Sequence, residues 1–155
     1  MYERVLVPLD GSKVGEAALP HVEKLVARRI AGGLKVEITL LHVLPSSHYV
    51  VVASAAPLVS YTEIELEEMK KEAMSYLDKA GEGLRNQGAI VKCKVGVGDA
   101  AEEIIKAEDE INADLVAMST HGRSGLSRWA FGSIADRVLR TGSKPVLLVR
   151  APREA

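Results

Sequence analysis

The chain has 155 residues, of which 47% are hydrophobic, and a formal net charge of -1. This length predicts a single domain over residues 1–155, with enough apolar residues for one substantial core. The near-neutral charge supplies no positive field for a nucleic-acid backbone or an anionic membrane, so neither partner is predicted. Cys93 is the single cysteine, which leaves no internal disulfide, and the first residues lack a signal-peptide pattern. We therefore expect a soluble protein of the cytoplasm.

The first part of the chain alternates short apolar runs with helical patterns. Residues 5–9 form an apolar run typical of a strand buried on both faces. Residues 12–30 carry apolar side chains at helical spacing, and Pro20 within them predicts a kink. A second strand is predicted over residues 36–44. Residues 45–60 fit neither pattern, and we expect a loop or lid there.

The rest of the chain continues this alternation. Thr62 and Glu65 form a capping box, which predicts the start of a long helix. The predicted elements are a helix over residues 62–88, an edge strand over 90–95, a helix capped by Asp99, a strand over 114–118, a helix capped by Ser133, and a last strand over 145–149.

This order of elements predicts the fold class. Strands separated by helices require right-handed crossovers, which give a parallel sheet covered on both faces. We therefore predict an α/β, Rossmann-like fold with a five-stranded parallel sheet and helices on both faces. In such sheets ligands bind past the carboxyl ends of the strands, where the winding direction reverses.

Two segments that follow strands are expected to meet at that position. Residues 7–12 carry Asp10, whose carboxylate is suited to a ribose hydroxyl or an exocyclic amine. Residues 119–133 form a glycine-punctuated loop that leads into a helix, an arrangement that favours an anion such as phosphate. Backbone amides of four residues are the candidate phosphate donors: Gly122, Gly132, Ser133 and Ile134.

The same segments resemble a known family. Five segments are similar to those of the universal stress proteins. They are the Val-Pro-x-Asp-Gly-Ser opening, the Leu-Leu-His-Val that ends at Val43, the Ala-Asp-Leu-Val before the loop, the loop itself and the final Lys-Pro-Val-Leu-Leu-Val. The similarity extends over nearly the whole chain. It implies an adenine nucleotide alpha hydrolase-like fold and a homodimer.

The glycine loop departs from the family pattern at one position. The ATP-binding members carry Gly-x-x-Gly, nine residues, and then Gly-Ser or Gly-Thr. Gly122 and Gly132-Ser133 match this pattern, whereas Ser119 replaces the first glycine. Its hydroxyl is small enough to face the ribose or a phosphate, although a side chain there narrows the approach of the ligand. We expect the substitution Ser119→Gly to preserve or modestly strengthen ATP binding.

The resemblance also implies a set of ligand contacts by position. Pro8, Leu9 and Asp10 would border the ribose and base, and Val43 would offer its backbone to the adenine edge. The remaining contacts implied are Met118 beside the base, Ser119, and the phosphate-binding residues Gly122, Arg123, Gly132, Ser133 and Ile134. ATP is the cofactor implied, and Mg²⁺ would accompany its phosphates.

These observations favour an ATP-binding regulatory or protective protein of the stress response. Two alternatives remain: a stress or signalling protein that binds no nucleotide and acts through dimerisation and regulatory partners, and an enzyme that hydrolyses ATP slowly or adenylates a substrate. No catalytic residue is assigned, because no nucleophile and base form a pair. No metal site is assigned either, since the four histidines lack ligand spacing. The apolar strand Pro145 to Val149 is expected at a sheet edge, where it would form a homodimer.

Overall fold

The computed structural model describes residues 2–49, 58–120 and 132–152. In chain order the elements are β1 (Arg4–Pro8), a 3₁₀ turn (Gly15–Ala18), α1 (Leu19–Ala31), β2 (Glu37–Leu44), β3 (Ser47–Tyr49), β4 (Leu58–Ser60), α2 (Glu63–Ala80), α3 (Glu82–Asn86), β5 (Ile90–Val97), α4 (Ala100–Glu110), β6 (Leu115–Thr120), α5 (Ser133–Thr141) and β7 (Val146–Arg150).

Five strands form one parallel sheet in the order β5-β2-β1-β6-β7. The central strand β1 pairs with β2 on one side and with β6 on the other, so that Val5 is in register with both Ile38 and Leu115. The winding direction reverses between β1 and β6, because the chain moves outward to β5 before it returns. This topology confirms the predicted fold class, and it places β5 and β7 at the two edges as expected.

The two faces of the sheet carry separate apolar layers. Alternate residues of a strand point to opposite faces, so Val5 and Val7 pack under α1, α2 and α3, whereas Leu6 packs under α4 and α5. Leu77 of α2 is fully buried in the first layer, and Ile104 of α4 is 3% exposed in the second. Helices therefore cover both faces, which explains the continuous apolar runs of β1 and β6.

Two helix predictions are wrong in detail. Pro20 does not kink a long helix, because α1 begins at Leu19 and Pro20 occupies its first turn, where a missing backbone amide costs no hydrogen bond.

The helix expected over residues 62–88 is divided at Gly81 into α2 and α3. A Cβ atom on Gly81 would lie 2.9 Å from a methyl carbon of Val91, so glycine permits the close approach to β5. The predicted cap is confirmed, since the Glu65 amide donates to the Thr62 hydroxyl at 3.2 Å.

The segment expected to be a loop or lid contains two short strands. Strands β3 and β4 pair antiparallel, with Ser47 opposite Ser60. Residues 50–57 lie outside the described residues. Within the described ranges, no helix combines the length and the apolar character needed to cross a membrane.

Candidate functional site

A cavity of about 290 Å³ opens where the winding direction reverses, beyond the carboxyl ends of β1 and β6. Most of the residues predicted for the site surround it. These are Pro8, Leu9, Asp10, Val43, Met118, Ser119, Gly132, Ser133 and Ile134. Gly122 and Arg123, the other two predicted residues, lie outside the described residues.

The cavity also has walls that sequence reasoning missed. The additional lining residues are Gly15, Leu41, Ala100, Ile104, Thr120 and Ala135. Ala100 and Ile104 come from the first turns of α4, which was interpreted only as a capped helix. Its amphipathic pattern was a usable signal for burial of Ile104. Only the sheet order shows that this buried face reaches the cavity.

The amino termini of α4 and α5 both face the cavity, but they differ in how their amides are satisfied. Helix α4 has its own cap, because the Asp99 carboxylate accepts from the Glu102 amide at 3.0 Å. Helix α5 starts after Gly132, which has no side chain to act as a cap. Its first intrahelical bond runs from the Asp136 amide to the Gly132 carbonyl at 3.0 Å. The three preceding amides therefore have no intrahelical partner, and an anion would supply one.

An ion pair joins the two helices beside the cavity. The Arg137 guanidinium of α5 donates to both carboxylate oxygens of Asp99, at 3.1 and 3.0 Å. The Glu102 amide and then Arg137 hold the pKa of Asp99 below its usual range. Because Asp99 is already bonded to α4 and to Arg137, the amino terminus of α4 is electrostatically satisfied. At the amino terminus of α5, by contrast, no side chain of the described residues acts as a cap for the positive end of the helix.

Asp10 lies in a hydrogen-bonded turn at the exit of β1. The Ser12 amide donates to Asp10 Oδ1 at 2.9 Å, and the Ser12 hydroxyl donates to the same oxygen. The Gly15 amide in turn donates to the Ser12 hydroxyl at 3.0 Å. A Cβ atom on Gly15 would collide with Asp10 Oδ1, so only glycine permits this approach. The turn fixes the orientation of the Asp10 carboxylate at the cavity.

Ser119 makes contacts that differ from those the sequence predicts. Its hydroxyl donates to the Gly15 carbonyl at 2.9 Å and accepts from the Ala18 amide at 2.8 Å. Both partners belong to the 3₁₀ turn that precedes α1. The hydroxyl therefore joins β6 to this turn, and its donor is engaged there instead of facing a ribose or phosphate.

Tyr76 and His42 lie behind the Asp10 turn. The His42 ring nitrogen Nδ1 is 2.7 Å from the Leu9 carbonyl oxygen, and the Tyr76 ring packs edge-on against His42 at 6.1 Å between centroids. Burial, and then the negative charges of Glu16 and Asp10, raise the pKa of Tyr76 from 10.0 to about 12. The protonated phenol is therefore the form that the fold favours.

This raised pKa predicts a loss of stability in alkaline solution. The phenol has a higher pKa in the folded chain than in the unfolded one, so its contribution is complete below pH 10.0 and is lost as the pH rises toward about 12. We expect Tyr76→Phe to unfold at a urea midpoint that falls less over this range than the midpoint of the parent. Equal declines would contradict the assignment, and Tyr2→Phe provides the control for an exposed tyrosine.

Comparisons with known proteins agree with this geometry. The model of the universal stress protein family matches residues 1–150. The chain belongs to the universal stress protein family. Universal stress protein MJ0531 of Methanocaldococcus jannaschii is 30% identical over 154 residues, which cover 99% of this chain and 85% of the relative. MJ0577 of the same organism is 30% identical over 160 residues, covering 97% and 96% of the two chains.

Solved structures of this family share the fold. The structure of MJ0577 superimposes with a TM-score of 0.74 at 26% identity and covers 99% of both chains. Two more distant universal stress proteins were solved with nucleotides. One holds cAMP, with a TM-score of 0.65, 20% identity and coverage of 97% and 98%. The other, from Archaeoglobus fulgidus, holds dAMP, with a TM-score of 0.63, 20% identity and coverage of 96% and 98%.

The described part of this universal stress protein contains no cluster of three or more histidine, cysteine or acidic side chains that would hold a metal ion. Asp10 is the acidic residue that lines the cavity.

Proposed function

We propose that this universal stress protein binds ATP in the cavity between β1 and β6. The observation that carries the proposal is the uncapped amino terminus of α5, which opens into the cavity next to Asp10. The three amides of α5 that have no intrahelical partner suit a phosphate group, and the dipole of the helix adds to the attraction. The motif match at Gly122 and Gly132-Ser133 supports ATP over nucleotides with fewer phosphates.

The opposite wall of the cavity suits the base. Leu41, Val43, Ile104 and Met118 contribute apolar side chains. The resemblance to the family assigns the backbone of Val43 to the adenine edge. A flat heteroaromatic ring gains from apolar burial while its edge bonds to backbone atoms. Asp10 lines the same cavity, where its carboxylate would accept a hydrogen bond from a ribose hydroxyl. Two distant relatives with this fold hold cAMP and dAMP, which supports an adenine nucleotide as the ligand.

Calorimetry with separated parts of the ligand tests the proposal. We expect ATP to bind the purified protein more tightly than either adenosine or tripolyphosphate, because only ATP engages the apolar wall and the α5 amides together. Denaturation of the purified protein should also release close to one equivalent of an adenine nucleotide, provided that the bound nucleotide exchanges slowly with solvent. The absence of binding heat at millimolar ATP, in protein shown to be free of nucleotide, would contradict the proposal.

We also infer that the protein acts as a cytoplasmic homodimer in which bound nucleotide regulates contacts with a partner protein during stress. The free edge of β7 supports the dimer. The Val116 amide donates to the Pro145 carbonyl and the Ala151 amide to the Thr120 carbonyl, so odd-numbered residues of β7 direct their backbone groups to β6. The alternate residues Val146, Leu148 and Arg150 direct theirs outward. A second β7 running antiparallel would pair with them.

A further inference from the structure

We propose that Ser119 is a positioning residue: it holds the Gly15–Ala18 turn, and through that turn the Asp10 carboxylate, in the arrangement that receives the ribose. The proposal rests on the proposed nucleotide site and assigns to this chain a device that a glycine at position 119 lacks. Ser119 lines the cavity, but the turn engages its hydroxyl as both donor and acceptor, so its effect on the ligand runs through the turn.

The first step is the double hydrogen bond of the Ser119 hydroxyl. It spans the turn, because its two partners are the carbonyl of Gly15 and the amide of Ala18. Ala18 is fully buried, and water has little access to its amide. The 3₁₀ geometry also directs this amide toward the Gly15 carbonyl, so the hydroxyl is a second acceptor that strengthens a buried donor and favours this position of the turn.

The second step runs from the turn to the cavity. Gly15 donates its amide to the Ser12 hydroxyl, and Ser12 bonds to Asp10 through both its amide and its hydroxyl. Gly15 also packs so closely on the Asp10 carboxylate that no side chain fits between them. A displacement of the turn at Gly15 therefore displaces Asp10. Ser119 is thus connected to Asp10 by three successive hydrogen-bonded links, through Gly15 and Ser12.

The third step concerns what the ligand gains. A carboxylate that is already oriented loses less conformational freedom when it binds a ribose hydroxyl, so the free energy of binding improves without a new contact. The phosphate donors of α5 belong to a different element and have no bond to Ser119 among the described residues. Ser119 should therefore affect ligands that contain a ribose and leave inorganic polyphosphate unaffected. This reverses the outcome that the family pattern predicts for Ser119→Gly.

The experiment compares Ser119→Ala with the parent for ATP, adenosine and tripolyphosphate by calorimetry. Because Ser119→Ala removes one hydrogen-bonded constraint on the turn, we expect the affinities for ATP and adenosine to fall about tenfold. The affinity for tripolyphosphate should stay unchanged. Ser119→Thr, which keeps the hydroxyl, should restore the ATP affinity. Thr62→Ala provides a matched control, because it removes a hydroxyl-to-amide bond of the same kind at the start of α2, away from the cavity.

Amide hydrogen exchange provides a readout that needs no ligand. Exchange of the Ala18 amide should be about tenfold faster in ligand-free Ser119→Ala than in the parent. Unchanged exchange, or faster exchange with unchanged ATP affinity, would overturn the positioning role. An equal loss of affinity for ATP and tripolyphosphate would overturn it as well. A parent that binds no ATP while Ala18 exchange responds as expected would instead locate the failure in the proposed function.

Discussion

Gly132→Val is expected to lower the affinity for ATP at least about 100-fold, because it places a branched side chain at the entrance to the first three amides of α5. These amides have no intrahelical partner, and each hydrogen bond to an anion is worth about 1.5 to 3 kcal/mol. Gly132 has a φ of 77°, which valine adopts only with strain, and its Cβ position meets no atom of the described residues within 4 Å. The side chain would therefore occupy the space of the ligand. Calorimetric titration with ATP measures the loss.

Gly33 offers a matched control for the backbone strain in this prediction. Its φ is 80°, and a Cβ atom there also meets nothing within 4 Å, but Gly33 lies after α1 and does not line the cavity. We expect Gly33→Val and Gly132→Val to lose similar stability, about 1 to 3 kcal/mol. Only Gly132→Val should lose affinity for ATP. Retained affinity in Gly132→Val, or an equal loss in both variants, would show that α5 does not hold the phosphates.

Leu148→Pro is expected to convert the proposed dimer into a monomer at micromolar concentration. The Leu148 amide faces the open edge of β7, so proline removes a donor from the pairing with a second β7 and puts its ring in the way. Sedimentation equilibrium measures the change, and circular dichroism should show an unchanged helix content. The Val149 amide faces β6, and Val149→Pro would therefore damage the sheet itself.

Leu148→Ala separates the backbone effect from the loss of the side chain. The Leu148 side chain packs partly against the layer formed by α4 and α5, so both substitutions weaken that packing. Only proline removes the amide, and we expect Leu148→Ala to remain a dimer. A monomeric parent would refute the proposed dimer, and a Leu148→Pro variant that stays dimeric would place the interface elsewhere.

The fold was predictable because its periodic patterns are strong and local. The apolar run at residues 5–9 and the capping box at Thr62 each specify one element without information from the rest of the chain. The site positions on β1 and β6 were predictable for a related reason, since topology fixes where parallel strands end. What the sequence did not indicate depends on contacts between distant segments.

Ser119 and Ile104 show this limit in physical terms. The partners of Ser119 lie 104 and 101 residues away, so no local pattern indicates that its hydroxyl bonds to the turn before α1. Ile104 has the periodicity of a core residue, and that signal is the same whether the residue packs under the sheet or lines a cavity. The division of the long helix at Gly81 likewise depends on its distance to β5.

The central position of β1 has a consequence for folding. Val5 pairs with Ile38, which is close in sequence, and with Leu115, which lies 110 residues further along (115 minus 5). Closing the longer separation carries the larger entropic cost, so the β1–β2 pair is favoured to form before β6 is added. The cavity has walls from both β1 and β6. Its formation is thus a late event in folding, and a chain with a nucleotide bound there has already completed the centre of its sheet.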